Sequence, residues 1–373
     1  MITSSVLILA GLALGLASVA LALVVVVARV ARFAAGSARE ARLAPHRLAL
    51  LAVAAGGDED GAQAARLRAV SGRDWPAVRA LAVALLGKVR GEPADELARL
   101  LDARGEFRRA RSAVRSRRAI VRERAAWVLG LARQQEDAVL LLPLLADRSD
   151  DVRLAAARSL GWLGDPVAAA PLLAAVRPVR GQPGIPVAVA AEALLSFGTG
   201  AVPAVSSGLA DGDPTVRAVA AMVAAEEALS AVAPQLRSLL ADDPVLEVRV
   251  PVARALGMVG GPEDVPGLAA QTAATQPPAM RRAAAQALGE LGDPGAAPIL
   301  AGLLADPDVR LAQSAGDALV RMGPHGAREL LYASAGTGPA ARAAARSLGM
   351  ARLRGSFTLP VGVPLVPAWD GNP

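Results

Sequence analysis

The 373-residue chain is 53% hydrophobic yet only 2% aromatic, so its apolar content is mostly Ala, Leu and Val, side chains that favour close helix–helix packing over a bulky globular core. It has no cysteine, which excludes disulfides, thiolate nucleophiles and cysteine-based zinc or iron–sulfur sites. The net charge of +6 is unevenly spread: residues 1–124 carry 21 basic and 11 acidic side chains, the rest 19 and 23.

Residues 1–5 are uncharged, and Val6 to Ala28 are a further 23 residues without a charge. As a helix this run is about 34 Å long, enough to cross a hydrocarbon core of about 30 Å. A signal peptide would have a basic start and a shorter apolar stretch, so the run is expected to be a transmembrane helix (6–28). The basic linker at 29–42 holds Arg29, Arg32, Arg39 and Arg42, with Arg47 just beyond, against Glu40. By the positive-inside rule the bulk of the chain then lies in the cytoplasm, as a single-pass cell-membrane protein with its short N-terminus outside.

Residues 43–77 are expected to form a degenerate first repeat or cap, with a solvated turn at Asp58, Glu59 and Asp60. From residue 78 one pattern recurs at nine starts: Val78, Val121, Val152, Pro186, Val216, Val248, Met280, Leu311 and Ala340. The fifth position of each unit is Ala or Val, from Ala82 to Ala344, and the ninth is Leu in all but Ala224. Positions four apart share a helical face, so these columns predict a buried seam. The seventh position varies (Trp127, Arg158, Glu192, Met222, Arg254) and falls about 200° from the seam, so it must point outward. Each unit closes on glycine, as at Gly164 and Gly292, suited to the left-handed position after a helix end. Asp165-Pro166 and Asp293-Pro294 then supply a cap and a first-turn proline for a second helix. Pro171, Pro203, Pro234, Pro266 and Pro298 lie near the start of that helix, which must begin late or kink.

These units resemble the HEAT repeat family, in particular the short bacterial variety named after phycobilisome lyases, over roughly residues 78–350. The expected fold is all-α: one transmembrane helix, then a right-handed α-solenoid of about nine helix pairs over 43–350. The resemblance further implies a ladder in which an Asp ending one unit bonds an Arg six residues on. Asp147/Arg153, Asp211/Arg217 and Asp243/Arg249 have this spacing; Arg281 and Arg310 lack the aspartate. It also implies that the first helices line the concave side, which would put Trp127, Arg158, Met222 and Arg254 on one continuous partner-binding groove.

Between the units starting at 78 and 121 the spacing stretches to 43 through a basic insertion at about 104–120. Arg108, Arg109, Arg111, Arg115, Arg117 and Arg118 make it either a solvated extension or a surface for anionic lipid, which the anchor would hold close. Nucleic acid is the weaker choice, since only Phe107 is at hand to stack a base. The tail at 351–373 carries Pro360, Pro364, Pro367 and Pro373 among Val361, Val363, Leu365, Val366 and Trp369. It either covers the open end of the stack or docks a partner.

Catalytic signatures are missing. His46 and His325 stand in unrelated contexts, no paired His-Glu motif exists, and Lys88 lacks the surroundings of a phosphate-binding loop. The expectation is a chain without catalytic residues, metal or cofactor: a membrane-tethered scaffold or adaptor holding a protein partner in its groove. An accessory subunit or modifying enzyme acting on a protein substrate at the membrane is the alternative.

Overall fold

A computed structural model describes residues 40–178 and 181–354. Every regular element of length among them is a helix, and the helices recur in pairs. No helix of the described residues is long and apolar enough to cross a membrane. The span expected at 6–28, most of the linker and the tail from 355 lie outside the described residues. The chain divides into two compact units, 1–109 and 110–373.

The first unit holds α1 (residues 40–54), α2 (Ala62–Arg68), α3 (Trp75–Leu86) and α4 (Glu92–Ala103). Leu50, Val53, Leu67, Leu97, Leu101 and Phe107 form its dry core. The Asp58 turn differs from the expected solvated loop. Asp58 is buried, and its carboxylate accepts from the backbone N–H of Gln63 and Ala64 at 2.8 Å each. It satisfies donors at the start of α2 that have no partner inside the helix. Phe107 is likewise buried and offers no face to a base.

The chain passes between units within α5 (Glu106–Ala113), so the inserted segment is a further helix and a turn. In the second unit the first helices of successive pairs are α6 (Ala119–Ala132), α8 (Asp150–Leu163), α10 (Val187–Leu195), α12 (Pro214–Glu226), α14 (Leu246–Val259), α16 (Pro278–Leu291), α18 (Val309–Arg321) and α20 (Pro339–Leu353). The second helices are α7 (Ala138–Leu141), α9 (Ala169–Ala174), α11 (Val202–Leu209), α13 (Ala233–Asp242), α15 (Val265–Ala270), α17 (Ala297–Leu303) and α19 (Pro324–Ser334). With α3 these give all nine expected first helices. α20 runs to Leu353, three residues past the boundary drawn at 350.

The seam columns are buried in every unit, from Ala82 and Leu86 to Ala344 and Leu348. Gly164 (φ 68°) and Gly292 (φ 69°) end their helices in the left-handed region. Asp165 and Asp293 then cap the next turn, accepting from Val167 and Gly295 N–H at 3.0 and 2.8 Å. The second helices begin late rather than kink. A 3₁₀ turn comes first, and Pro203, Pro234, Pro266 and Pro298 stand second in the α-helix proper. There the missing N–H leaves no bond unmade.

Candidate protein-binding face

Successive first helices approach closely because the tenth position of a unit is often glycine and the eighth of the next is small. A Cβ built on Gly257 would stand 2.7 Å from Ala287 Cα, on Gly289 2.7 Å from Ala318 Cα, and on Gly161 2.8 Å from Ala193 Cα. Gly130 meets Ser159 in the same way, at 2.8 Å from its Cα. Backbone therefore lies against backbone, and the first helices form a continuous layer.

Charged rungs tie that layer together, but they differ from the expected ladder. Arg153 and Arg217 do reach Asp147 and Asp211 six residues back, yet they donate to the backbone carbonyls, at 2.9 Å each. The carboxylates turn instead to an arginine about 25 to 34 residues before them in the chain. Arg122 holds both oxygens of Asp147 at 2.7 Å, Arg177 pairs with Asp211, and Arg217 donates to Asp243 at 2.7 Å. Arg281, expected to lack an acid, pairs with Asp306 ahead of it. Arg249 donates to Gln276 Oε1 at 3.4 Å. The reason is local: each aspartate spends one oxygen on the N–H two residues on (Ser149, Asp213, Val245, Asp308), which aims the carboxylate backwards.

Burial alone would raise the carboxyls of Asp147, Asp243 and Asp306. The bonds from Arg122, Arg217 and Arg281, with those backbone amides and the arginine charge, outweigh it and hold all three below the usual range. The bond to Asp147 correspondingly lifts Arg122. A second set of rungs crosses between the other helices: Arg111 to Asp137 and Arg237 to Asp264, both at 2.6 Å and both onto buried carboxylates.

The face opposite the seam is exposed. Trp127, Arg158, Met222 and Arg254 all lie on it, Trp127 and Met222 at 37% and 39% exposure. The eleventh position, four residues on, shares this face and went unread in the sequence: Trp162, Glu226, Met258, Glu290 and Arg321. Trp127 meets Trp162 of the next repeat edge-on, with ring centroids 4.6 Å apart and planes at 77°. Arg254 donates to Glu226 at 2.9 Å and Arg321 to Glu290 at 2.8 Å. One apolar cluster results, Trp127–Trp162 on α6 and α8, while Met222 and Met258 are exposed on α12 and α14. Between α8 and α12, α10 presents the exposed Glu192 and Ser196.

Two of the six arginines of the basic insertion are held by carboxylates of the protein itself. Arg109 pairs with Glu106, and Arg111 with Asp137 and, at 3.9 Å, Glu136. Arg108, Arg115, Arg117 and Arg118 are exposed and make no ion pair among the described residues. A cavity of about 530 Å³ lies beside α7 and α9, lined by Leu142, Leu145, Pro171 and Pro183 with Arg153 and Arg177. Both arginines are committed to the scaffold: Arg153 to Pro183 and Gln182, Arg177 to Asp211. Among the described residues no His, Asp and Glu cluster in a way that would hold a metal ion.

Paired helices stacked through small-residue columns, with an exposed ring-bearing face, define a helical repeat protein. The chain belongs to the HEAT repeat family: the model for HEAT repeats matches residues 108–181, 202–279 and 265–349. No curated protein matches the sequence. Among solved structures it is similar to the YibA protein of Escherichia coli (19% identity, TM-score 0.39, covering 71% of this chain and 96% of that one). It is also similar to yeast importin-β, Kap95p (14%, TM-score 0.48, 77% and 46%). A third likeness is to the CpcE–CpcF complex of phycocyanin lyase from Nostoc sp. PCC7120 (22%, TM-score 0.32, 65% and 94%).

Proposed function

We propose that this chain is a membrane-tethered scaffold without catalysis of its own, holding a protein partner on the exposed face of its first helices. The observation that carries this reading is the Trp127–Trp162 pair, an exposed ring packed on a half-buried one in a chain that is only 2% aromatic. Tryptophan and arginine are the residues that most often dominate binding energy, and Arg158 shares the helix face of Trp162. Residues 6–28 supply the tether, with the solenoid in the cytoplasm. The exposed Arg108, Arg115, Arg117 and Arg118 then face anionic headgroups.

The test is partner capture from detergent-solubilised membranes by the whole chain, compared with the Trp127→Ala, Arg158→Ala double variant. Proteins retained by the parent should be lost, by about tenfold or more, from the variant. Because the two side chains are exposed, thermal unfolding should stay nearly unchanged, with about 1 kcal/mol at stake in the ring contact. Identical capture by both proteins would refute this face as the binding surface.

A further inference from the structure

The repeat builds each first helix to receive the next. In α6, α8, α12, α14 and α16 the sixth position is Ala126, Ala157, Ala221, Ala253 and Ala285, each with no exposed surface. The tenth position is Gly130, Gly161, Gly257 or Gly289 in four of them, each occupied to within 2.8 Å by the following helix. The last first helix, α20, keeps the same chemistry at both columns: Ala345 and Gly349. There, however, Ala345 is exposed, and a Cβ on Gly349 would meet nothing within 4 Å. Leu353, four residues further on the same face, is 84% exposed. α20 thus presents the receiving face of a repeat with no described helix upon it.

We propose that the chain's own tail, residues 355–373, folds back along α20 and covers this face. The tail follows Arg354, directly after the exposed Leu353, so it is joined to the end of the helix that bears the face. α20 has 15 residues and is about 22 Å long, which an extended chain retraces in roughly seven residues. The segment from Leu359 to Trp369 has that reach, and Pro360, Pro364 and Pro367 favour the extended form over another helix. Its Val361, Val363, Leu365 and Val366 are apolar, and the exposed Ala345 and Gly349 put no bulky side chain in their way. Area decides against an untethered occupant. A strip about 22 Å by 10 Å is on the order of 200 Å², well short of the roughly 800 Å² per partner of a stable interface. A segment joined to the helix end needs no such area, because its local concentration is in the millimolar range.

The absence of cysteine makes the test direct. Ala345→Cys is combined in the whole chain, held in detergent, with Val361→Cys, Val363→Cys or Leu365→Cys in turn, and each pair is mildly oxidised. At least one pair should close within the monomer, whatever the protein concentration. Ending the chain after Arg354 should in addition speed amide exchange of residues 345–353 by tenfold or more. Both results are required. A disulfide-linked dimer would assign the face to a second copy and overturn the proposal. Failure of all three pairs, or exchange in α20 that is indifferent to the tail, would overturn it as well.

Discussion

At the scale of single residues, the tenth-column glycines set the spacing of the stack. Gly257 sits within α14, where alanine would ordinarily be favoured by about 1 kcal/mol. Its missing Cβ is replaced by the backbone of Ala287, at 2.7 Å, and backbone cannot rotate out of the way as a side-chain tip can. Gly257→Ala should therefore lower stability by about 1–3 kcal/mol, as overpacking does, seen as a lower denaturant midpoint. Gly302→Ala in α17 is the control. Nothing lies within 4 Å of that Cβ, so the midpoint should hold or rise slightly. Equal effects at the two sites would mean that helix propensity, and not helix contact, governs both. The sequence displays these glycines plainly in its Leu-Gly pairs. Their role was illegible because the atom that excludes a side chain belongs to a residue about thirty positions away. The seam of Ala156 and Leu160 was readable for the opposite reason: four-residue spacing is a property of one helix.

At the scale of elements, these arginine rungs tie the start of a first helix to the turn that leads into the next one, and they should make the stack sensitive to acid. Asp147, Asp243 and Asp306 have folded-state carboxyls held below the usual range by Arg122, Arg217 and Arg281 together with backbone amides. For a depressed carboxyl the added stability is fully present above the unfolded value of about 3.9, and it is lost as pH falls through the folded value. Stability should therefore be level from about pH 5 to 7 and decline below about pH 4. The denaturant midpoint measured across that range checks it, and Asp243→Asn should flatten part of the decline. A midpoint that rises on acidification would contradict the rungs. The spacing of Asp147 and Arg153 found the right residues with the wrong bond. Six residues place an arginine under a carbonyl, whereas the carboxylate's direction is fixed by the Ser149 amide and cannot be read from spacing. Column seven was legible as an outward face, yet Trp162 was missed because a second exposed column, four residues on, carries no repeating residue type.

At the scale of the whole molecule, the proposed membrane contacts of the exposed arginines and of the apolar run of residues 6–28 can be tested separately. The fragment from residue 40 onward should bind vesicles of anionic lipid at low salt and release them at high salt, each exposed basic group adding about 1 kcal/mol. The full chain should stay with membranes at either salt, and a reporter active only in the cytoplasm should work when fused after Pro373. Binding of the fragment to neutral vesicles as well would leave the arginines a merely solvated extension, and a silent reporter would reverse the orientation. The glycine-to-small-residue contact also bears on how such a chain lengthens over evolutionary time. A tandem copy of the segment bearing α16 would bring Gly289 against a second Ala287, the same fit that Gly289 makes with Ala318, so duplication there is accepted without further change. A copy of the α10 segment would set Leu195 against a second Ala193, where at present Gly161 is what Ala193 meets. Growth of the array is thus open at its glycine-bearing joints and closed at α10, and descendants of this gene should differ in length on either side of that helix rather than at it.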